Sequence, residues 1–259
     1  MTTRKGIVII VSKDCVCQNL YVNLFPMHHI PKNSHALVVM LKVPVTGQVK
    51  TRLVPPLTEK DAARLYRCFI QDTFSRVSIL HDIDIIAAYT PKNLKLRVKK
   101  IVPAGTIIIP QKGKDLGQRL SNIFSELFTF GYKKIAIIGS DSPDLPSEYI
   151  KKSFSLLKGK TEIVIGPAED GGYYLIAMSR NCKVLFINIP WSTDVVFQKT
   201  VERAKKAGVK SAILPTWYDV DEIENLKALR NNLKASLAET KTGKFLETVL
   251  KDIPTTNPS

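Results

Sequence analysis

Ala36-Leu37-Val38-Val39-Met40-Leu41-Lys42-Val43-Pro44-Val45-Thr46-Gly47-Gln48-Val49-Lys50-Thr51-Arg52-Leu53 is the stretch on which the reading of the fold turns. Its first six residues are apolar without alternation, which suits a strand buried on both faces of a largely parallel sheet. The next twelve change character: three cations, hydroxyls and a glycine follow in a loop that contains Pro44. In open α/β sheets ligands gather beyond the carboxyl ends of strands, so such a loop fits a phosphate clamp. It also fits a solvated basic loop. It is not a Walker A loop, because Val49 precedes the lysine and no glycine lies five residues before Gly47.

The same rhythm continues outward. Apolar runs predict strands at Ala36–Leu41, Ile83–Tyr89, Thr106–Ile109, Lys134–Ile138, Glu162–Ile165, Tyr173–Ala177 and Ser211–Leu214. Between them, helical patterns fall near 58–80, 116–130, 147–157, 194–207 and 222–237. The first is well signalled: Thr58 can cap it, and Leu65, Tyr66, Phe69, Ile70, Phe74 and Val77 recur at helical spacing. Gly131 and Gly208 fall where helices should end. Strand–helix alternation of this kind predicts a doubly wound α/β sheet.

The 259 residues suffice for a sizeable core, and 44% hydrophobic with 24% charged residues excludes disorder, collagen and coiled coil. No apolar run approaches the ~18 to 20 residues of a membrane helix. The net charge of +15 is unevenly spread. Residues 1–119 hold 19 basic and 7 acidic side chains, whereas residues 120–226 hold 13 of each. The cationic half suggests a polyanionic partner, and carboxylates facing it suggest a metal ion. A nucleic-acid partner is disfavoured, since the basic residues are not interleaved with aromatics and no RNA- or DNA-binding motif occurs.

Four cysteines do not make a disulfide framework in a chain this long. Cys15 and Cys17, with His28, His29 and His35 nearby, lack the usual zinc spacing and read as reduced thiols of a cytoplasmic protein. Residues 1–35 do not join the strand–helix rhythm and read as an N-terminal extension, with Met27 a conceivable later start. Residues 36–259 read as a single domain.

Further polar clusters follow later strands. Gly139-Ser140-Asp141-Ser142-Pro143-Asp144-Leu145-Pro146 carries two carboxylates that can offer oxygen to a hard cation. Asp141 immediately ends the strand and is the stronger ligand candidate; Asp144 fits a helix cap better. In Glu169-Asp170-Gly171-Gly172-Tyr173-Tyr174, an ordinary turn competes with a reading in which the glycines admit a ligand and Asp170 accepts a hydroxyl. Ser192 or Thr193 suits a helix cap. Asp219 and Asp221 precede a helix, where acids are favoured in any case. With four histidines, three of them in the odd N-terminal segment, histidine acid–base catalysis is not indicated.

In order, these stretches resemble the rSAM/selenodomain-associated transferases of the glycosyltransferase-A-like (GT-A) superfamily. The matching residues are Lys42-x-Pro44-x-x-Gly47-x-x-Lys50-Thr51-Arg52-Leu53, Asp72, Asp115-Leu116-Gly117-x-Arg119-Leu120, the 139–146 and 166–174 segments, Trp191-Ser192-Thr193 and Asp219-Val220-Asp221. The opening motif and Asp72 also resemble phospholactate guanylyltransferase. Glu222 stands where a threonine usually follows the second aspartate, and residues before 36 have no counterpart.

The resemblance implies a Rossmann-like GT-A domain, its mostly parallel sheet carrying one antiparallel strand and helices on both faces. It implies a nucleotide or nucleotide-sugar donor and a small-molecule acceptor. Asp141 and Asp221 would hold Mg²⁺ or Mn²⁺, with Asp219 the alternative second ligand. Lys42, Gly47, Lys50, Thr51, Arg52 and Ser140 would meet the nucleotide, with Leu116 and Gly117 near its base. Asp170, Gly171, Gly172, Tyr173 and Thr193 would line the acceptor pocket. Lys50, Arg52 and Asp141 would carry the chemistry. Glycosyl transfer from an NDP-sugar is the leading expectation, nucleotidyl transfer from an NTP the alternative.

Overall fold

The computed structural model describes residues 31–233 and 239–249. The readings placed on Cys15, Cys17, His28, His29 and Met27, and most of the expected extension, lie outside the described residues. Seven strands form where apolar runs predict them: β1 (His35–Lys42), β2 (Asp84–Thr90), β3 (Ile107–Pro110), β4 (Lys134–Ile138), β5 (Ile163–Pro167), β6 (Tyr173–Met178) and β7 (Ser211–Ile213). The principal helices are α1 (Glu59–Val77), α2 (Lys95–Lys99), α3 (Leu116–Thr129), α4 (Ser147–Leu156), α5 (Val196–Lys206), α6 (Ile223–Asn232) and α7 (Lys241–Val249). Nothing in the sequence pattern announces α2, which is only five residues, or α7.

The strands make one sheet in the order β3-β2-β1-β4-β6-β5-β7. β6 runs antiparallel to both its neighbours, and every other pairing is parallel. This is the mostly parallel sheet with one reversed strand that the resemblance implies. Burial explains the strand composition. Ala36, Leu37, Val38 and Val39 are all fully buried, so β1 is covered on both faces. Leu37, Val39 and Leu41 join a core with Leu65, Phe69, Ile70 and Phe74 of α1. On the other face, Phe124 of α3 stacks on Phe186 at 6.0 Å.

Helix ends follow local chemistry in part. The Thr58 hydroxyl accepts the Asp61 N–H and caps α1 as predicted. Gly131 and Gly208 take positive φ just past α3 and α5. Three expected caps are corrected. No side chain caps α4, whose N-terminal neighbour is Pro146, and Asp144 instead accepts the Tyr218 hydroxyl. Ser192 and Thr193 lie short of α5, which begins after Val195 without a side-chain cap, and the Thr193 hydroxyl donates to the Pro190 carbonyl. At α6 the cap is Glu222, whose N–H donates to Asn225. Neither Asp219 nor Asp221 is used up there.

Two buried carboxylates fasten remote segments. Asp72, midway along α1, accepts the N–H groups of Lys241 (3.0 Å) and Thr242 (2.7 Å), while Thr240 accepts from Gly243. The orphan amides at the start of α7 are thereby satisfied. Asp84, at the start of β2, accepts from Lys32, Asn33 and the Tyr132 hydroxyl.

Candidate functional site

Strand order reverses between β1 and β4, because β2 and β3 extend the sheet one way and β6, β5 and β7 the other. Crevices at such reversals, beyond the carboxyl ends of the strands, are where open α/β sheets take ligands. A cavity of about 320 Å³ opens there. Lys42 from the end of β1, Leu116 and Arg119 from α3, Asp141 beyond β4, Tyr173 from β6 and Asp219 are among its lining residues. Four of the sequence-predicted site residues (Lys42, Leu116, Asp141 and Tyr173) thus meet in one space, although 131 residues separate the first from the last.

Lys50 is the best-held cation of the site. Its side chain is almost wholly buried, and its ammonium reaches Asp141 Oδ1 at 2.5 Å, Asp221 Oδ1 at 2.8 Å and the Val220 carbonyl at 2.8 Å. The rings of Tyr66 and Phe69 lie 5.5 Å away. Burial alone would disfavour the ammonium, but the charges and hydrogen bonds of Asp141 and Asp221 outweigh it, so Lys50 is held protonated. Both carboxylates keep a sizeable exposed fraction, 39% and 47% of the side chain. The sequence reading placed Lys50 toward phosphates; in this structure it lies between the two aspartates named as metal ligands.

The segment carrying Asp219 and Asp221 is tied to the loop after β4 at three points. The Val220 N–H donates to the Asp141 carbonyl (2.9 Å), Ser142 donates to Asp219 (2.6 Å), and Tyr218 donates to Asp144. Asp219 is therefore held, partly buried, beside Asp141. Burial first, and the Asp141 charge second, push its carboxyl up to about 7, against the lowering effect of the Ser142 hydrogen bond. Ser142, Tyr218 and the carbonyl of Val220 are contributors that spacing could not reveal, since their partners lie 74 to 170 residues away in sequence.

Other expected residues serve the scaffold as well. Ser140 is fully buried and shares a 2.8 Å hydrogen bond with Tyr66, whose oxygen also accepts the Lys42 N–H. The Lys42 ammonium donates to the Gln48 carbonyl and so closes its own loop over Gly47. Thr51 and Arg52 are exposed, with Arg52 3.8 Å from Glu222. At Gly117 a Cβ would stand 2.5 Å from the Trp191 indole nitrogen, so the close approach there is to Trp191. At Gly171, with φ +84°, a Cβ would overlap the Asp194 carbonyl. The turn of Asp170, Gly171 and Gly172 is thus seated on the segment before α5, with Asp170 accepting the Gly172 N–H at 2.9 Å.

Among the described residues no group of three or more His, Cys, Asp or Glu side chains is arranged to hold a metal ion. The atoms around the Lys50 ammonium are nonetheless all oxygen, two carboxylates and a carbonyl, and that donor chemistry fits a hard divalent cation. No helix among the described residues is long and apolar enough to cross a membrane.

Residues 73–193 match the family DUF2064, described as uncharacterized protein conserved in bacteria. No curated protein matches the chain. Among solved structures, a candidate nucleotide-diphospho-sugar transferase from Desulfovibrio desulfuricans G20 is 33% identical, with a TM-score of 0.79 over 83% of this chain and 95% of that one. A 4-diphosphocytidyl-2C-methyl-D-erythritol synthase from Anaerococcus prevotii DSM 20548 shares the fold at 12% identity and TM-score 0.52, over 78% and 97% of the two chains. So does a CMP:2-keto-3-deoxy-manno-octonic acid synthetase complexed with CTP, at 11% identity and TM-score 0.51, over 78% and 98%.

Proposed function

Because the chain belongs to the GT-A-like family of the Desulfovibrio nucleotide-diphospho-sugar transferase candidate, we propose that it is a metal-dependent transferase that moves a glycosyl group from an NDP-sugar to a small acceptor. The observation that carries this reading is the cavity at the strand-order reversal, whose lining combines Lys42 and Arg119 with Asp141 and Asp219. A bound Mg²⁺ or Mn²⁺ would be held by Asp141 and Asp221, and it would supply charge neutralisation for the departing nucleotide phosphates. Lys42, Thr51 and Arg52 would bind those phosphates from the loop after β1, holding donor and acceptor in line. Leu116 would border the base. Asp170 to Tyr173 and Thr193 would receive the acceptor, and the Asp170 oxygen not bonded to Gly172 would take the proton of an attacking sugar hydroxyl.

Nucleotidyl transfer from an NTP is the second reading. It is favoured by the number of exposed cations on one loop, Lys42 and Arg52, since a triphosphate needs more positive charge than a diphosphate. Incubating the protein with Mg²⁺ and either an NTP or an NDP-sugar, across phosphorylated and hydroxyl acceptors, separates the two. Pyrophosphate release with an NTP would replace glycosyl transfer by nucleotidyl transfer. Transfer with neither donor, and no nucleotide binding by calorimetry, would sink both.

A further inference from the structure

Lys50 is the only Lys or Arg that pairs with Asp141 or Asp221 among the described residues, and its three oxygen partners are donors that a divalent cation would also need. The ammonium takes one oxygen, Oδ1, of each carboxylate, so a divalent cation bound at those same atoms competes with it. A second positive charge 2.5 to 2.8 Å from the same oxygen atoms would meet the ammonium at a separation where repulsion in a partly buried site is severe. The ammonium sits at the end of a long stem, walled by Tyr66 and Phe69, while both carboxylate partners stay partly exposed and Asp141 lines the cavity. The Lys50 backbone takes a left-handed conformation (φ 50°, ψ 39°), which is costly for a lysine and is held by the turn it opens, where Leu53 donates to the Lys50 carbonyl.

We propose that Lys50 is a tethered counter-cation, its ammonium occupying the divalent-cation position in the metal-free protein and vacating it when the cation binds, which delivers the charge to the donor phosphates. The idea rests on the metal assignment in the proposed function and adds an exchange that this assignment does not require. In chemical terms a monovalent, covalently attached cation is displaced by a free divalent one, and no covalent bond changes. The metal-free site is thereby protected from collapse or carboxylate repulsion, and free divalent ions bind it weakly.

The test is Mn²⁺ titration of the nucleotide-free full chain, followed by electron paramagnetic resonance, for the wild type and Lys50→Met. The variant should bind Mn²⁺ on the order of tenfold more tightly or better, because it has lost the competing charge. Equal or weaker binding by the variant overturns the exchange and leaves the metal assignment standing. Absence of Mn²⁺ binding by both proteins overturns both. Should Lys50→Met not fold, acetylation of Lys50 in the wild type, quantified by peptide mass spectrometry, gives an independent readout. Lys50 should be protected in metal-free protein and labelled several-fold faster once Mn²⁺ is bound. Unchanged protection at saturating Mn²⁺ would overturn the proposal.

Discussion

Asp72 and Asp84 make an instructive contrast with Asp141 and Asp221. The first pair is buried, at 8% and 6% exposure, and is satisfied mainly by backbone amides that cannot leave without unfolding a segment. The second pair is partly exposed, with Asp141 lining a cavity, and shares a single lysine on a long stem. A carboxylate whose hydrogen bonds come from fixed amides stabilises the fold. One whose charge is balanced by a movable side chain, beside an open space, is available for a ligand. The same residue type does opposite work according to how its charge is met.

The largest effect should come from Asp141→Asn, which removes one charge from the open pair. Metal-dependent nucleotide binding and any transfer should fall on the order of a hundredfold or more, and the melting temperature should drop as well, because buried Lys50 keeps only Asp221 as a charged partner. Unchanged binding by calorimetry would break the contrast at its functional end. Next, Asp72→Ala should cost about 1 to 3 kcal/mol of stability by stripping buried amides of their acceptor. Hydrogen exchange at Lys241 and Thr242 should accelerate while nucleotide affinity holds; a loss of affinity without destabilisation would place Asp72 on the wrong side of the comparison. Arg52→Ala should leave stability within about 0.5 kcal/mol, because the ion pair with Glu222 is exposed. Donor affinity should drop several-fold, and the deficit should shrink as salt rises.

The smallest effect concerns Cys68, whose thiol is pushed up to about 11 by burial and then by the Asp72 charge. Alkylation at pH 8, followed on the Cys68 peptide, should therefore be slow in the native protein. In Asp72→Asn it should quicken modestly, since the raised value means less thiolate and removing the neighbouring charge restores some. No change in rate would show that burial alone sets the thiol's reactivity.

How far the sequence reaches can be judged from particular residues. The strands were legible because apolar runs such as Ala36–Leu41 are buried on both faces, and burial is what such runs encode. Asp141 was legible because it lies three residues beyond the carboxyl end of a strand, β4. Asp72 was visible as a motif residue, but its work at the start of α7 depends on a segment 169 residues onward. Helix α7 itself was missed, because its first amides are satisfied by that remote carboxylate. Ser192 and Thr193 misled as caps, since hydroxyls before an apolar period look alike whether or not the helix starts there. The substitution of Glu222 for the expected threonine is compatible with the site: Glu222 closes α6 and leaves Asp221 to Lys50. None of the cross-links between the loop after β4 and the 217–221 segment is encoded in local spacing.

The reversed direction of β6 has a consequence for how such a protein can diversify. Because β6 runs against β4 and β5, the connection from β5 returns as a tight hairpin whose turn at Asp170 to Gly172 adjoins the cavity rim. An all-parallel sheet would need a helical crossover between the same two strands. Residues can be inserted into or exchanged within that hairpin without displacing any crossover helix or altering the loop after β1. On the proposed function, recognition of the acceptor can then drift while recognition of the donor stays fixed, a form of inherited modularity set by the direction of a single strand.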